Sequence, residues 1–281
     1  MIRVLGIRRE AQNSPGREDD DAMILKAVLA QMARRRVDTE LAGPQAVDEG
    51  RLEDWDLIFP MCEAYPRLRR LLEFSKASPS LIINHPGAVL GCYRAQLLET
   101  LSRTPGVLVP ESETCKLSAS ARDPASGFGA AGFWIKRGDV HNTCDKDVVF
   151  VRGAEDAAAA FEDFRRREIT SVVLQRHVDG DLIKFYGAGP GLWFTWFYHD
   201  PQTARKLPFE PEDLAQQAMA AANAVGVEVF GGDAVVSPGG AVYLLDLNSW
   251  PSFARVRDEA AVQISRWALS RLRLKKPGIL P

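Results

Sequence analysis

The sequence predicts a mixed α/β (α+β) chain, with a small leading layer of parallel strands and helices followed by two further α+β subdomains. Two observations predict this class. Over residues 1–84, short apolar runs alternate with helical segments, the pattern of parallel strands joined by crossover helices. Further on, apolar runs crowd together between turn residues and end in a hairpin signature over residues 230–253, FGGDAVVSPGGAVYLLDLNSWPSF.

The bulk properties fit such a chain and narrow its partners. A length of 281 residues allows one large domain or a few small ones with real cores. Hydrophobic residues make up 46% and charged residues 26%, as in ordinary globular proteins. A net charge of -2 lacks the basic excess of nucleic-acid or membrane-surface binders, so the expected partners are small molecules, with no nucleic acid and no membrane. No apolar run approaches the ~20 residues of a membrane helix. The start, MIRVLG, is too short and too soon polar for a signal peptide. Cys62, Cys92, Cys115 and Cys144 are scattered without metal-type spacing and read as free thiols in a reducing cytoplasm. Cys62 reads as a small buried thiol. The sequence leaves the oligomeric state open.

The leading layer begins with an apolar strand over residues 2–7. No G-x-G-x-x-G follows, so a dinucleotide fingerprint is absent. The acids of residues 18–21 and the arginines of 34–36 bracket a helix over 22–36 and suit the two ends of its dipole. A strand buried on both faces (55–61), a helix (65–76) and a strand (81–84) complete the layer. Parallel sheets bind ligands beyond the carboxyl ends of their strands, which brings Arg8, Arg9, Glu63 and Asn84 toward a cleft. Arg8 and Arg9 are candidates to grip an anionic substrate.

In the middle, residues 119–132 are rich in small side chains and read as a loop. The strand GFWIK follows. Lys136 comes after three large apolar residues and can lie along an apolar wall, presenting its ammonium to a phosphate. His141, Asn142 and Thr143 read as a structural loop. Residues 146–152 form a strand, 154–167 a helix and 171–178 a strand ending in Gln175-Arg176-His177-Val178. A turn at Gly180 leads into LIKFYGAG, which carries Lys184. His177 has no second histidine at ligand spacing, so zinc is not expected. The strand WFTWFY (193–198) reads as core. A helix over 211–225 ends at Gly226.

The hairpin then follows. Folding it about Gly239 sets Asp233 nearly opposite Asp246, and alternation turns Asp246 and Asn248 the same way. Asp233, Asp246 and Asn248 become a cluster of hard oxygen ligands with no Lys or Arg between them along the hairpin. Such oxygens suit one or two Mg²⁺ ions, or Mn²⁺ in their place, with nucleotide phosphates completing the shell. A last packing helix covers residues 256–274. Arg255 and Arg257 sit just past the hairpin and are candidates to meet an anionic substrate. The tail from Lys275 is expected to fray.

The D-L-N-S-W-P run at 246–251, the strand lysines and the "D-G-x-x-x-K-F-Y" pattern at 179–186 together resemble the ATP-grasp superfamily over residues 84–274. The resemblance implies an ATP-grasp fold. Its divisions would be a leading α/β domain (1–84), a connecting segment (85–132), a small subdomain (133–200) and a carboxyl-terminal subdomain (201–281). It implies that Asp233, Asp246 and Asn248 hold magnesium and that Lys136 meets the α- and β-phosphates of ATP. Gln175, Arg176, His177 and Val178 would form the adenine hinge, with Asp181 on the ribose. Lys184 would face the γ-phosphate or substrate side and Arg94 would reach the nucleotide phosphates or the substrate; with Arg255 these are the catalytic candidates. Only Gly138 remains of the glycine-rich flap that many relatives carry at 137–147.

The resemblance implies an ATP-dependent carboxylate–amine ligase working through an acyl phosphate, with small-molecule carboxylate and amine substrates. No Ser-His or Cys-His arrangement suggests an enzyme nucleophile. The similarity to the inositol-phosphate kinase branch keeps a small-molecule kinase as the alternative, and a non-catalytic ATP-binding module as a third.

Overall fold

The computed structural model describes residues 2–13, 18–117, 132–139 and 144–276. Three sheets organise it. In the leading sheet, β1 (Arg3–Ile7), β2 (Asp38–Ala42), β3 (Leu57–Pro60) and β4 (Leu81–Ile82) run parallel in the order β2-β1-β3-β4. Alternation sends Val4, Leu57 and Phe59 to one face and Leu5, Ile7 and Ile58 to the other. The first face is covered by α1 (Glu18–Ala33) and by the last helix, α8 (Arg257–Lys275). The second is covered by α2 (Gln45–Asp48) and α3 (Tyr65–Ala77).

Two short helices, α4 (Pro86–Gly91) and α5 (Arg94–Ser102), lead to the second sheet. There β5 (Ser112–Lys116), β6 (Phe133–Arg137), β7 (Val148–Val151) and β8 (Ser171–Arg176) pair antiparallel in the order β5-β8-β6-β7. The amphipathic helix α6 (Ala154–Arg166) lays Ala157, Phe161 and Phe164 on Phe133, Ile135 and Leu174. The third sheet contains β9 (Asp181–Ala188), β10 (Trp193–Tyr198), β11 (Val229–Val236), β12 (Val242–Leu244) and β13 (Asn248–Ser249). Its order is β10-β9-β11-β12, with β13 beside β11. Helix α7 (Pro211–Val225) ends at Gly226 in the left-handed region (φ 84°) and packs on this sheet.

The sheets divide the chain elsewhere than the sequence division does. β5 lies before residue 133 yet joins β6–β8, and β9 and β10 lie before 200 yet join β11. The sequence reading also omits β2 and β5. Both are edge strands with polar, charged residues (DTELA and SETCK), so neither carries an apolar run. Helix α1 begins at Glu18, because the acids lie within its first turn and not ahead of it. Lys275, expected to open a frayed tail, donates to the Ser80 carbonyl at 2.7 Å, and Lys276 pairs with Asp56 at 2.7 Å. The loop expected at 119–132 lies outside the described residues, save for its last residue. No helix among the described residues is long and apolar enough to cross a membrane.

The leading sheet is fastened to the third sheet by one buried amide. Asn84 donates from Nδ2 to the Val229 carbonyl (2.7 Å) and Ser249 Oγ (2.9 Å). Its Oδ1 accepts from the amides of Glu228 and Val229, each at 2.8 Å. Beside it, Trp250 Nε1 donates to the Ile83 carbonyl at 3.1 Å. Arg9 Nη2 donates to the carbonyls of Ser249 (3.2 Å) and Trp250 (2.8 Å) while ion-paired to Asp21 and Glu63. The Asn84→Ala variant takes the acceptor from two backbone amides, those of Glu228 and Val229, and a loss of about 3 kcal/mol of stability is expected in urea unfolding.

Candidate functional site

A cleft of about 310 Å³ opens between the second and third sheets. One wall comes from β6 and β8. Phe133 and Ile135 face α6, so alternation turns Trp134 and Lys136 into the cleft. Lys136 Nζ donates to Gln175 Oε1 at 2.6 Å, and Gln175 Nε2 donates to Ser112 Oγ at 3.2 Å. Burial, reinforced by the Arg94 charge, pulls the Lys136 pKa down to about 8, against the opposing pull of Asp246 and Asp233. Arg94 opens α5 and lines the same cleft. It donates from Nη1 to the Arg137 carbonyl at 2.5 Å. Burial lowers its pKa, opposed by Asp246, Asp147 and Asp139.

The rim is formed by Arg176, His177, Val178 and Gly180, which all line the cleft. The Arg176 amide donates to the Glu111 carbonyl, and its Nε pairs with Glu111 Oε2 at 2.7 Å. His177 Nδ1 accepts from Trp134 Nε1 at 3.2 Å, and Phe150 meets the His177 ring edge to face at 5.3 Å. A Cβ at Gly180 would overlap the Val236 carbonyl, so the turn admits no side chain there. Asp181 departs from the sequence expectation. It is buried and outside the cleft lining, and both its carboxylate oxygens accept amides, from Arg205 and Leu207, each at 2.7 Å. It braces the 199–210 loop instead of lining the cleft.

Across the cleft stand the acids. The hairpin pairs Val236 with Val242 and Ala234 with Leu244, which centres it on Gly239. The Leu245 amide donates to the Asp233 carbonyl at 2.8 Å. Asp233 and Asp246 both line the cleft. Asn248 Nδ2 donates to Asp246 Oδ2 at 3.0 Å, and the Leu247 amide donates to Oδ1 at 2.9 Å. The absence of a nearby cation, read along the hairpin alone, does not hold. Strand β9 sets Lys184 directly opposite Asp233, and Nζ meets Oδ1 at 2.7 Å.

Among the described residues no group of three or more His, Cys, Asp or Glu forms a metal site. Two carboxylates and an amide still match a hard cation that takes its remaining ligands from phosphate and water. With Nδ2 committed to Asp246, the Asn248 side chain has its carbonyl oxygen left as a donor to metal. By donor type these residues suit Mg²⁺, with Asp233 and Asp246 lining the cleft and Asn248 behind Asp246, outside the lining.

Other expected residues are used differently. Arg255 lies outside the cleft lining, stacked 4.5 Å over Phe197 and donating to the carbonyls of Tyr198 and His199 at 3.2 Å. The end of β10 holds it there through two carbonyls and the Phe197 ring. Arg257 pairs with Asp20 at 2.5 Å, Arg9 is spent on the fastening described above, and Arg8 is exposed. Glu63 is buried against Arg9. Cys62 is buried among apolar side chains, which pushes its thiol pKa up. His141, Asn142 and Thr143 lie outside the described residues. Trp134 is a cleft residue that the sequence reading passed over, although it shares the face of Lys136 by simple alternation.

No protein-family model matches the chain, and no curated protein matches it in sequence. Solved structures do match. A D-alanine–D-alanine ligase from Bacillus anthracis complexed with ATP superposes with a TM-score of 0.76 at 13% identity, over 98% of this chain and 99% of that one. The D-alanine–D-alanine ligase from Coxiella burnetii gives 0.74 at 13% identity over 98% and 97%. A RimK domain ATP-grasp protein from Sphaerobacter thermophilus gives 0.70 at 15% identity over 95% and 99%. A parallel leading sheet, two antiparallel sheets facing across a cleft, and this near full-length superposition together give the chain the ATP-grasp fold.

Proposed function

We propose that the protein is an ATP- and Mg²⁺-dependent carboxylate–amine ligase. The observation that carries the reading is one cleft in which Lys136 and Arg94 face Asp233 and Asp246, cations on one wall and acids on the other. A polyphosphate bridges such walls when a divalent cation lies between it and the acids. The near full-length likeness to ligases, one of them solved with ATP, supports the choice of reaction.

In this reading the rim residues Gln175, Arg176, His177 and Val178 hold the base, Trp134 presents a flat face to it, and Lys136 neutralises the α- and β-phosphates. Lys184 and Arg94 neutralise the γ-phosphate as charge moves onto the leaving ADP. Asp233, Asp246 and Asn248 would hold Mg²⁺, which when bound draws electron density from the phosphate oxygens. A substrate carboxylate oxygen attacks the γ-phosphorus, the bond to the β-phosphate oxygen breaks, and ADP leaves. The amine nitrogen then attacks the acyl carbon, phosphate departs with the former carboxylate oxygen, and the amine loses a proton. No enzyme nucleophile takes part.

Incubation with ATP, Mg²⁺, a panel of amino acids and other carboxylates, and hydroxylamine is expected to yield ADP with a hydroxamate. ADP with a phosphorylated polyol and no hydroxamate would replace the ligase with a kinase. Nucleotide binding without turnover would leave a binding module. The Asp246→Asn variant is expected to lose turnover by at least ~100-fold with an unchanged melting temperature. Full activity would remove Asp246 from the mechanism.

Lys136 also sets a pH dependence. Its pKa is lowered to about 8, so the ammonium is present below that pH and lost above it. Bound phosphate favours the charged form, so the ATP dissociation constant is expected to rise about tenfold per pH unit above pH 8. Trp134 fluorescence in the cleft can report the titration. Lys136→Arg, whose guanidinium stays charged, is expected to flatten that slope.

A further inference from the structure

Lys184 and Asp233 are direct cross-strand partners, and their charges meet at 2.7 Å with 33% and 30% of the side chains exposed. Lys184 itself is not a lining residue, but Asp233, Val235 and Leu182 are, and Leu182 shares the face of β9 with Lys184 two residues on, so the pair stands at the edge of the cleft. It stands at the acid on which the proposed cation depends. A divalent cation approaching Asp233 meets an ammonium already seated on the carboxylate, and two cations on one carboxylate repel. A triphosphate in the same cleft offers that ammonium another anion.

We infer that Lys184 is an exchangeable counter-ion for Asp233: it holds the carboxylate until a polyphosphate draws it away, so divalent cation and nucleotide bind with positive coupling. This rests on the nucleotide–metal reading of the cleft and adds an order to it. In the ligand-free protein Lys184 guards Asp233 against free metal ions. With nucleotide present Lys184 turns to phosphate, and Asp233 is released to the cation. Linkage makes the coupling reciprocal, so the cation strengthens nucleotide binding by the same factor. A lysine that served only as a phosphate ligand would raise nucleotide affinity and leave the affinity for metal alone untouched. The counter-ion role gives effects of opposite sign on the two ligands when the charge is deleted.

The test uses the full chain and Mn²⁺, followed by the paramagnetic resonance of free Mn²⁺, with and without a non-hydrolysable ATP analogue. Wild type is expected to bind Mn²⁺ at least ~10-fold more weakly without the analogue than with it, after correction for Mn²⁺ on free analogue. Lys184→Met is expected to bind Mn²⁺ about tenfold more tightly than wild type in the absence of analogue, and to bind the analogue more weakly. Lys184→Arg, which keeps the charge, is expected to stay close to wild type on metal alone. Lys184→Gln serves as a second deletion should the methionine variant melt early. Equal nucleotide-free Mn²⁺ affinity in wild type and both neutral variants overturns the counter-ion role while leaving the metal site standing. Absence of Mn²⁺ binding in every variant, analogue present, overturns the metal-site reading and the inference with it.

Discussion

The fastening at Asn84 is the constraint on which the rest of the structure depends. A single buried amide side chain fills all four of its hydrogen-bonding positions, and every partner lies on the third sheet or at its edge. Those partners are the start of β11, which carries Asp233, and Ser249, which follows Asn248. Arg9 grips the next two carbonyls from the same side. The leading layer therefore helps fix the acid wall of the cleft, although none of its strands lines that cleft. Buried polar groups cost stability unless satisfied, and here full satisfaction fixes the register of two strands.

The opposite wall rests on a different balance. The second sheet packs its apolar face on α6 and leaves the other face to Trp134, Lys136 and Gln175. Lys136 is held by one neutral hydrogen bond, to Gln175, and burial together with the Arg94 charge lowers its pKa. The acid wall, by contrast, is partly neutralised by Lys184. The cleft thus joins an under-compensated cation to a compensated acid, an arrangement suited to a ligand bearing both charges, such as a polyphosphate carrying a divalent ion.

Much of this was legible in the sequence where a pattern is local. The hairpin about Gly239, the shared side of Asp246 and Asn248, and the inward face of Lys136 follow from alternation within one or two strands. Helix α7 and strand β10 fall on their expected residues because their periodicity and end signals are strong. What escaped was decided by partners distant in sequence. Lys184 meets Asp233 only because β9 and β11 are neighbours in the sheet, although β10, a loop and α7 separate them along the chain. Asp181 looks like a ribose ligand beside Gly180, yet its oxygens are claimed by amides some 24 and 26 residues away. Arg255 follows the acid run closely but finds the end of β10 first. Strands β2 (DTELA) and β5 (SETCK) are built of polar and charged residues and so carry no apolar signal.

Helix α8 shares one continuous core with α1 and the leading sheet, where Ile264, Ala268 and Leu272 pack among Ile24, Val28 and Leu57. During synthesis the first strands leave the ribosome long before that helix exists. Until α8 emerges, the part of that apolar face which α1 leaves uncovered stays open to solvent and to chaperones. The leading layer, made before the other two sheets, is thus sealed only after both of them.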